Sequence, residues 1–128
     1  KQEYKLMGYI KSEYIMAELY NLADVYVSPS LQESFGFTVC ESLACGTPVV
    51  AFPVGGLVEQ IEHQKNGYLA EHSSADDLAK GIVYCTDNNE HDRLAKNASF
   101  TASKYYSKNL AKSYKSYFEI LDNRRESK

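Results

Sequence analysis

The sequence predicts an α/β fold in which helices cover both faces of a doubly wound parallel sheet. Segments rich in β-branched and aromatic residues alternate with amphipathic segments along the first 70 residues, which is the order of successive βαβ units. Residues 48–52 are apolar throughout, as is typical of a strand buried on both faces of a parallel sheet. Crossovers between parallel strands are nearly always right-handed, so we expect that hand here.

Composition places the chain among globular domains. It has 128 residues, 44% of them hydrophobic and 24% charged, which suits one domain with its own core. The longest nearly apolar stretch, residues 48–58, is shorter than the ~20 residues that a membrane helix needs. A net charge of −3 does not favour a nucleic-acid partner. Because the chain begins with Lys1 and its first methionine is Met7, we expect it to be a piece of a longer protein.

The first predicted elements are a strand, a helix and a second strand. Residues 5–10 are mostly apolar and predict a short buried strand. Ser12 is a suitable N-cap for a helix that begins at Glu13 and has apolar residues along one face. Residues 25–27 predict the next strand, which Pro29 ends because proline has no N–H to donate.

The middle of the chain continues the same alternation. A helix is predicted over residues 38–44, with Gly46 as its left-handed cap. The apolar strand at 48–52 follows, then a short helix over 57–62 and a last strand over 68–70. The predicted sheet therefore has four strands.

The last part of the chain is predicted to be helical. Ser74 begins a pattern that resembles a capping box, ahead of a helix over residues 75–86. A longer helix is expected over 90–104, and a final helix over 107–121 carries an apolar stripe at helical spacing. Residues 122–128 form a polar tail.

Cysteines and histidines do not form a recognisable metal or disulfide pattern. The three cysteines are Cys40, Cys45 and Cys85. Their odd number and the lack of CxxC spacing predict buried, reduced thiols. The three histidines are His63, His72 and His91. They are too scattered to predict a metal site, and we interpret them as surface or loop residues.

The stretch 30–41, after the predicted strand at 25–27, carries the features of a ligand site. In open parallel sheets, ligands bind where loops leave the carboxyl ends of strands. Gly36 allows close approach of the backbone, and a helix that begins near Thr38 presents unpaired N–H groups to a phosphate. Glu33 and Glu41 can only accept hydrogen bonds, which suits hydroxyl donors. Phosphate together with sugar hydroxyls describes a nucleotide-sugar. Taken singly, each glutamate also fits a side chain without a ligand, because the helix dipole favours acids near the start of a helix and loop glutamates are usually solvated.

The same stretch carries a two-glutamate motif within an ordered set of sequence blocks. The motif reads Glu33-Ser-Phe-Gly-Phe-Thr-Val-Cys-Glu41. The blocks around it are, in order, Gly8-Tyr-Ile10, Tyr20-x-x-Ala-Asp-Val-Tyr-Val-Ser-Pro-Ser30, Glu41-Ser-Leu-Ala-Cys-Gly-Thr-Pro-Val-Val50, Gly55-Gly-x-x-Glu59 and Asn66-Gly-Tyr-Leu69. Together they resemble the E-x7-E motif and its neighbours in the retaining glycosyltransferases of family 4, also called glycosyl transferases group 1, over residues 5–121.

That resemblance implies a GT-B architecture, in which two Rossmann-like domains face a cleft. Residues 1–121 would be part of the C-terminal domain that binds the nucleotide-sugar donor. The whole enzyme would transfer a hexosyl unit to a glycan or glycolipid acceptor with retention of configuration, without a metal or other cofactor. It would serve polysaccharide biosynthesis in the cytoplasm, in solution or at the inner face of the membrane.

Two parts of the family pattern are not found in this sequence. The family's acceptor-binding N-terminal domain and a basic pair upstream of Gly8 are both outside it. Because stabilisation of the leaving group's charge is often the largest catalytic contribution, the isolated piece is expected to be inactive.

The resemblance also implies roles for individual residues. Glu33 would be the catalytic residue beside the transferred sugar, and Glu41 would bind the ribose of the nucleotide. The remaining donor contacts, from the sugar hydroxyls through the diphosphate to the base, would come from Gly36, Phe37, Thr38, Val39, Tyr9 and Ile10.

Two other classes of protein compete with this interpretation. One is a GT-B nucleotide-sugar epimerase or phosphorylase-like enzyme, although a phosphorylase needs a pyridoxal lysine for which no context is visible. The other is a non-catalytic flavodoxin-like binding module. A receiver module of that kind needs an aspartate at a strand end, whereas the strand at 25–27 runs into Ser28 and Pro29. The GxGxxG motif of dinucleotide enzymes is also missing.

Overall fold

The computed structural model describes residues 3–105 and confirms the parallel α/β fold. In chain order its elements are α1 (Glu13–Leu22), β1 (Tyr26–Ser28), α2 (Phe37–Ala44), β2 (Val49–Ala51), α3 (Leu57–Gln60), β3 (Gly67–Leu69), α4 (Ala75–Cys85) and α5 (His91–Tyr105). The three strands lie in the order β1-β2-β3, and both pairs are parallel. Val27 pairs with Val50, which pairs with Tyr68.

The prediction of a strand over residues 5–10 is wrong. This segment has no regular secondary structure, and Gly8 has a φ of 65°, which lies in the left-handed region and interrupts an extended strand. Leu6 and Tyr9 are both 87% exposed, so the apolar residues of the segment are not part of the core. The sheet of residues 3–105 therefore has three strands instead of the expected four.

The predicted helix caps are confirmed by the geometry of the chain. The Ser12 hydroxyl accepts from the Ile15 N–H at 3.4 Å, and the Ser74 hydroxyl accepts from the Asp77 N–H at 3.2 Å. Gly46 follows α2 with a φ of 78°, as a left-handed cap requires. Helix α3 is shorter than predicted and ends at Gln60. The final helix expected at 107–121 and the tail at 122–128 lie outside the described residues.

Buried side chains form a core on each face of the central strand β2. Successive side chains of a strand point to opposite faces. Accordingly, Val49 and Ala51 pack in one cluster with residues from α2, α3 and α5, whereas Val50 packs with Cys85 and Leu94. Each buried Val or Leu side chain contributes about 1.5–3 kcal/mol, so the two clusters fix the helices to the sheet.

The cysteines divide by burial. Cys40 and Cys85 are buried as predicted, whereas Cys45 is only half-buried. Burial raises the pKa of the Cys85 thiol to about 12. That thiol therefore stays protonated at neutral pH and belongs to the core rather than to a reactive site.

None of the helices within residues 3–105 combines the length and the apolar character that are needed to cross a membrane.

Asn66 joins the turn before β3 to the end of α3 and to the distant helix α5, and it gives a test of the fold. Its buried side chain accepts from the Glu62 N–H at 2.9 Å and donates to the Gln60 carbonyl at 2.9 Å and to the Thr101 hydroxyl at 3.1 Å. We expect Asn66→Ala to lower the free energy of unfolding by about 2–4 kcal/mol, because it leaves buried polar groups unpaired. Urea-induced unfolding measures this loss.

Asn97 provides the matched control for that substitution. Its side chain donates one exposed hydrogen bond, to the Lys65 carbonyl at 2.9 Å. Asn97→Ala should cost less than about 1 kcal/mol, because water can replace the lost partner. Equal losses for the two variants would contradict a structural role of the buried amide.

Candidate functional site

The candidate site lies at the carboxyl edge of the sheet, where the chain leaves β1. The loop after β1 contains Glu33 and leads directly into α2, which begins at Phe37. The loop after β2 leaves the same edge and reaches α3 through Gly55 and Gly56. This confirms the expected position of Glu33 between a strand end and a helix start.

Helix α2 begins with an uncapped amino end. Its N-cap residue is Gly36, with φ 82° and ψ 59°, and no side chain caps the helix there. The left-handed backbone favours glycine here, and a Cβ on this residue would also displace the side chain of Leu57. The first N–H groups of a helix have no partner within it, and the helix dipole makes this end positive. The start of α2 is therefore suited to an anion.

A second loop holds the first one in place. The Gly56 N–H donates to the Ser34 carbonyl at 2.9 Å. A Cβ on Gly55 would lie 1.6 Å from the Glu33 carbonyl oxygen, so the two backbones are in direct contact. Gly55 and Gly56 thus pack against the loop that carries Glu33.

Gln60 provides a third attachment for this loop. Its side chain is fully buried, and its Nε2 donates to the Phe35 carbonyl. Sequence reasoning missed this residue. No signal could have found it, because a glutamine on a four-residue helix predicts nothing about a carbonyl 25 positions earlier.

The two glutamates of the motif have different surroundings. Glu33 is half-buried, and its Oε1 accepts from the Ser34 N–H at 3.0 Å. Glu41 is exposed on the second turn of α2, and its Oε2 accepts from the Tyr20 hydroxyl at 3.3 Å. An ionised carboxylate has about four acceptor positions, so both side chains can accept further hydrogen bonds from a ligand.

A pair of tyrosines, Tyr20 and Tyr26, contacts one face of α2. The rings of Tyr20 and Tyr26 meet edge to face, with centroids 5.5 Å apart and an angle of 89° between planes. The Tyr26 hydroxyl donates to Thr38 Oγ1 at 3.1 Å, in parallel with the bond from Tyr20 to Glu41. Burial raises the pKa of Tyr20 above its usual value, and Tyr26 and Glu41 add to that shift. The hydroxyl of Tyr20 is therefore a hydrogen-bond donor at neutral pH.

The structure brings some of the predicted donor-binding residues together. Gly36, Phe37 and Thr38 form the open end of α2, and Phe37 is 67% exposed. The side chain of Val39 lies in the core, and its N–H donates to the Gly36 carbonyl at 3.1 Å. The open N–H groups at this end are thus those of Phe37 and Thr38.

Tyr9 and Ile10 occupy a different setting from the other predicted donor contacts. Both lie in the irregular segment before α1, where Tyr9 is largely exposed. Their assignment to the nucleotide base stays a prediction.

In the part of the chain that the structure describes, no group of three or more His, Cys, Asp or Glu side chains is placed to hold a metal ion. A broad groove lies along α4 and the turn before α5, with Lys80, Tyr84 and Glu90 in its lining. None of the predicted site residues lines this groove. The candidate ligand site is therefore the start of α2 and not the groove.

The parallel sheet and its flanking helices form a Rossmann-like α/β domain, which matches the GT-B glycosyltransferases among solved structures. Residues 1–100 match the family Glycosyl transferases group 1, and the chain belongs to this family. Among curated relatives, it is 42% identical to the D-inositol 3-phosphate glycosyltransferase of Thermomonospora curvata over 85 residues, which are 66% of this chain and 20% of that protein.

Solved structures agree with this assignment. The HepE protein of Anabaena, in complex with UDP and glucose, is similar with a TM-score of 0.68 and 30% identity, covering 79% of this chain and 29% of that one. The C-terminal domain of a glycosyl transferase group 1 family protein from Francisella tularensis is similar with a TM-score of 0.68 and 27% identity, covering 78% of this chain and 52% of that one. The chain spans about a fifth of the length of the first curated relatives that it matches.

The contact between the two loops can be tested at Gly55. This residue has a φ of 51°, and a Cβ there would collide with the Glu33 carbonyl. We expect Gly55→Ala to lower the free energy of unfolding by about 2–4 kcal/mol, through backbone strain and overpacking. Thermal or urea unfolding measures the effect.

Gly8→Ala is the control for the strain alone. Gly8 has a similar φ of 65°, but nothing lies within 4 Å of a Cβ placed on it. A much smaller loss is expected for this variant. If Gly55→Ala were no more harmful than Gly8→Ala, the loops would not be in the close contact described above.

Proposed function

We propose that this chain is the C-terminal, donor-binding domain of a retaining glycosyltransferase of family 4, and that it binds a nucleotide-sugar at the start of α2. The observation that carries the proposal is the open helix end at Gly36, which lies between a glutamate in the preceding loop and a glutamate on the helix itself. The family match and the glycosyltransferase names of its relatives favour this function over an epimerase or a non-catalytic module.

Each part of a nucleotide-sugar has a chemically suitable partner at this site. The diphosphate accepts from the N–H groups of Phe37 and Thr38 and is favoured by the positive end of the α2 dipole. The ribose hydroxyls donate to the exposed carboxylate of Glu41. The transferred sugar lies on the loop side, next to Glu33. The complex of the Anabaena protein with UDP and glucose supports a uridine nucleotide as the first donor to test.

Glu33 is the proposed catalytic residue. Its carboxylate orients the donor sugar or stabilises the positive charge that develops at the sugar ring during transfer. The attachment of its loop to Gly56 and Gln60 holds this group in a fixed place, as electrostatic stabilisation of a transition state requires. Tyr9 and Ile10 are the proposed contacts to the base.

The rest of the reaction belongs to parts of the protein outside this sequence. An N-terminal domain binds the glycan or glycolipid acceptor, and a basic pair neutralises the leaving diphosphate, so residues 1–128 alone are inactive. The resemblance to the family supports catalysis without a metal or other cofactor, and a role in polysaccharide biosynthesis in the cytoplasm. The similarity to a C-terminal domain from Francisella tularensis supports the C-terminal placement.

Glu41→Ala should weaken nucleotide binding. The variant removes the acceptor for the ribose hydroxyls, and a hydrogen bond to a charged group contributes about 1.5–3 kcal/mol, or a factor of roughly 10–150 in affinity. Calorimetric titration of the full-length protein with UDP measures the change. Glu18→Ala removes an exposed carboxylate from α1 and should leave the affinity unchanged. Equal affinities of the Glu41→Ala and wild-type proteins, with both folded, would remove Glu41 from the site.

Glu33→Ala should lower turnover more than it weakens nucleotide binding. An interaction that strengthens in the transition state lowers kcat when it is removed, whereas the diphosphate and ribose contacts stay intact. Steady-state kinetics of the full-length enzyme and UDP titration of the same variant separate the two effects. An unaltered kcat would show that Glu33 has no catalytic role.

A further inference from the structure

The hydroxyls of two tyrosines contact two of the proposed donor-binding residues of α2. Tyr20 reaches Glu41 from α1, and Tyr26 reaches Thr38 from β1. Thr38 and Glu41 are three positions apart on α2, so they lie on the same face of the helix, one turn apart. The proposed function uses Thr38 and Glu41 but gives no role to the tyrosines.

The geometry of the pair leaves little freedom to Tyr20. The residue is 5% exposed, and its ring packs edge to face against the ring of Tyr26. Its backbone carbonyl also accepts from the buried Thr47 hydroxyl at 2.5 Å. The hydroxyl that reaches Glu41 is therefore held by the fold and not by the ligand.

We propose that Tyr20 is a positioning residue for the nucleotide ribose. Its hydroxyl binds one oxygen of the Glu41 carboxylate and thereby holds the second oxygen ready to accept from the ribose hydroxyls. This inference rests on the proposed function, because it assumes that Glu41 binds the ribose.

The chemistry of the donor supports this role. An exposed glutamate has several rotamers, and fixing one of them before the ligand arrives lowers the entropic cost of binding. The bond from Tyr20 occupies one of about four acceptor positions, so the carboxylate can still bind two hydroxyls. Because Tyr20 is a neutral donor with a raised pKa, it leaves the negative charge of Glu41 in place, and bonds from the ribose hydroxyls remain charge-assisted.

Tyr20→Phe tests the inference, because it deletes the hydroxyl and keeps the buried ring. The full-length protein is titrated by calorimetry with UDP and with 2′,3′-dideoxy-UDP, which lacks the ribose hydroxyls. We expect Tyr20→Phe to weaken UDP binding by about 3- to 10-fold and to leave the affinity for the dideoxy nucleotide unchanged. In a Glu41→Ala background, Tyr20→Phe should have no further effect on UDP. Tyr14→Phe, on the same helix but 87% exposed, is the matched control and should bind both nucleotides as the wild type does.

The other outcomes separate this inference from the proposed function. If the wild type prefers UDP and Tyr20→Phe keeps that preference in full, Tyr20 does not position Glu41, while the ribose role of Glu41 stands. Equal weakening of both nucleotides by Tyr20→Phe means a purely structural role and also overturns the inference. If the wild type binds the two nucleotides equally, or binds neither, the assignment of Glu41 to the ribose is wrong and the inference falls with it.

Discussion

The direct contact between the backbones of two loops at the carboxyl edge of the sheet determines where the candidate site lies. Gly55 and Gly56 allow the loop after β2 to touch the carbonyl groups of Glu33 and Ser34, and a Cβ on Gly55 would collide with the Glu33 carbonyl. The loop after β1 then ends at Gly36, where the chain turns into α2 and the backbone lies close to the side chain of Leu57. Glu33 and the open end of α2 lie at this contact.

Helix α2 connects the core of the domain to the site. One face carries Val39 and Leu43, which pack with residues of β2, α3 and α5. The other face carries Thr38 and Glu41, which receive the hydroxyls of the two tyrosines. The 3.6-residue period of the helix separates these faces, so burial of the apolar stripe orients the polar one. The packing of α2 against the core thus also fixes the direction in which Thr38 and Glu41 point.

Local signals predicted most of the fold, whereas contacts between distant residues could not be predicted. The caps at Ser12, Ser74 and Gly46 depend on neighbours within a few positions, and all three are confirmed. The strand expected at 5–10 failed because an apolar pattern does not reveal whether a partner strand lies beside it, or that Gly8 is left-handed. At the site, the motif predicted the loop and the helix start. The contacts of Gln60 and Tyr20 are with partners 25 and 21 positions away, which no local sequence pattern reveals.

Binding of a nucleotide-sugar at the open end of α2 can be observed directly in a crystal structure of the full-length protein. The ligand is the nucleoside diphosphate that the protein binds most tightly among UDP, GDP and ADP. We expect phosphate oxygens within hydrogen-bond distance of the Phe37 and Thr38 N–H groups, and ribose hydroxyls within hydrogen-bond distance of the Glu41 carboxylate. A nucleotide bound elsewhere, such as in the groove along α4, or no binding of any of the three, would contradict the proposed site.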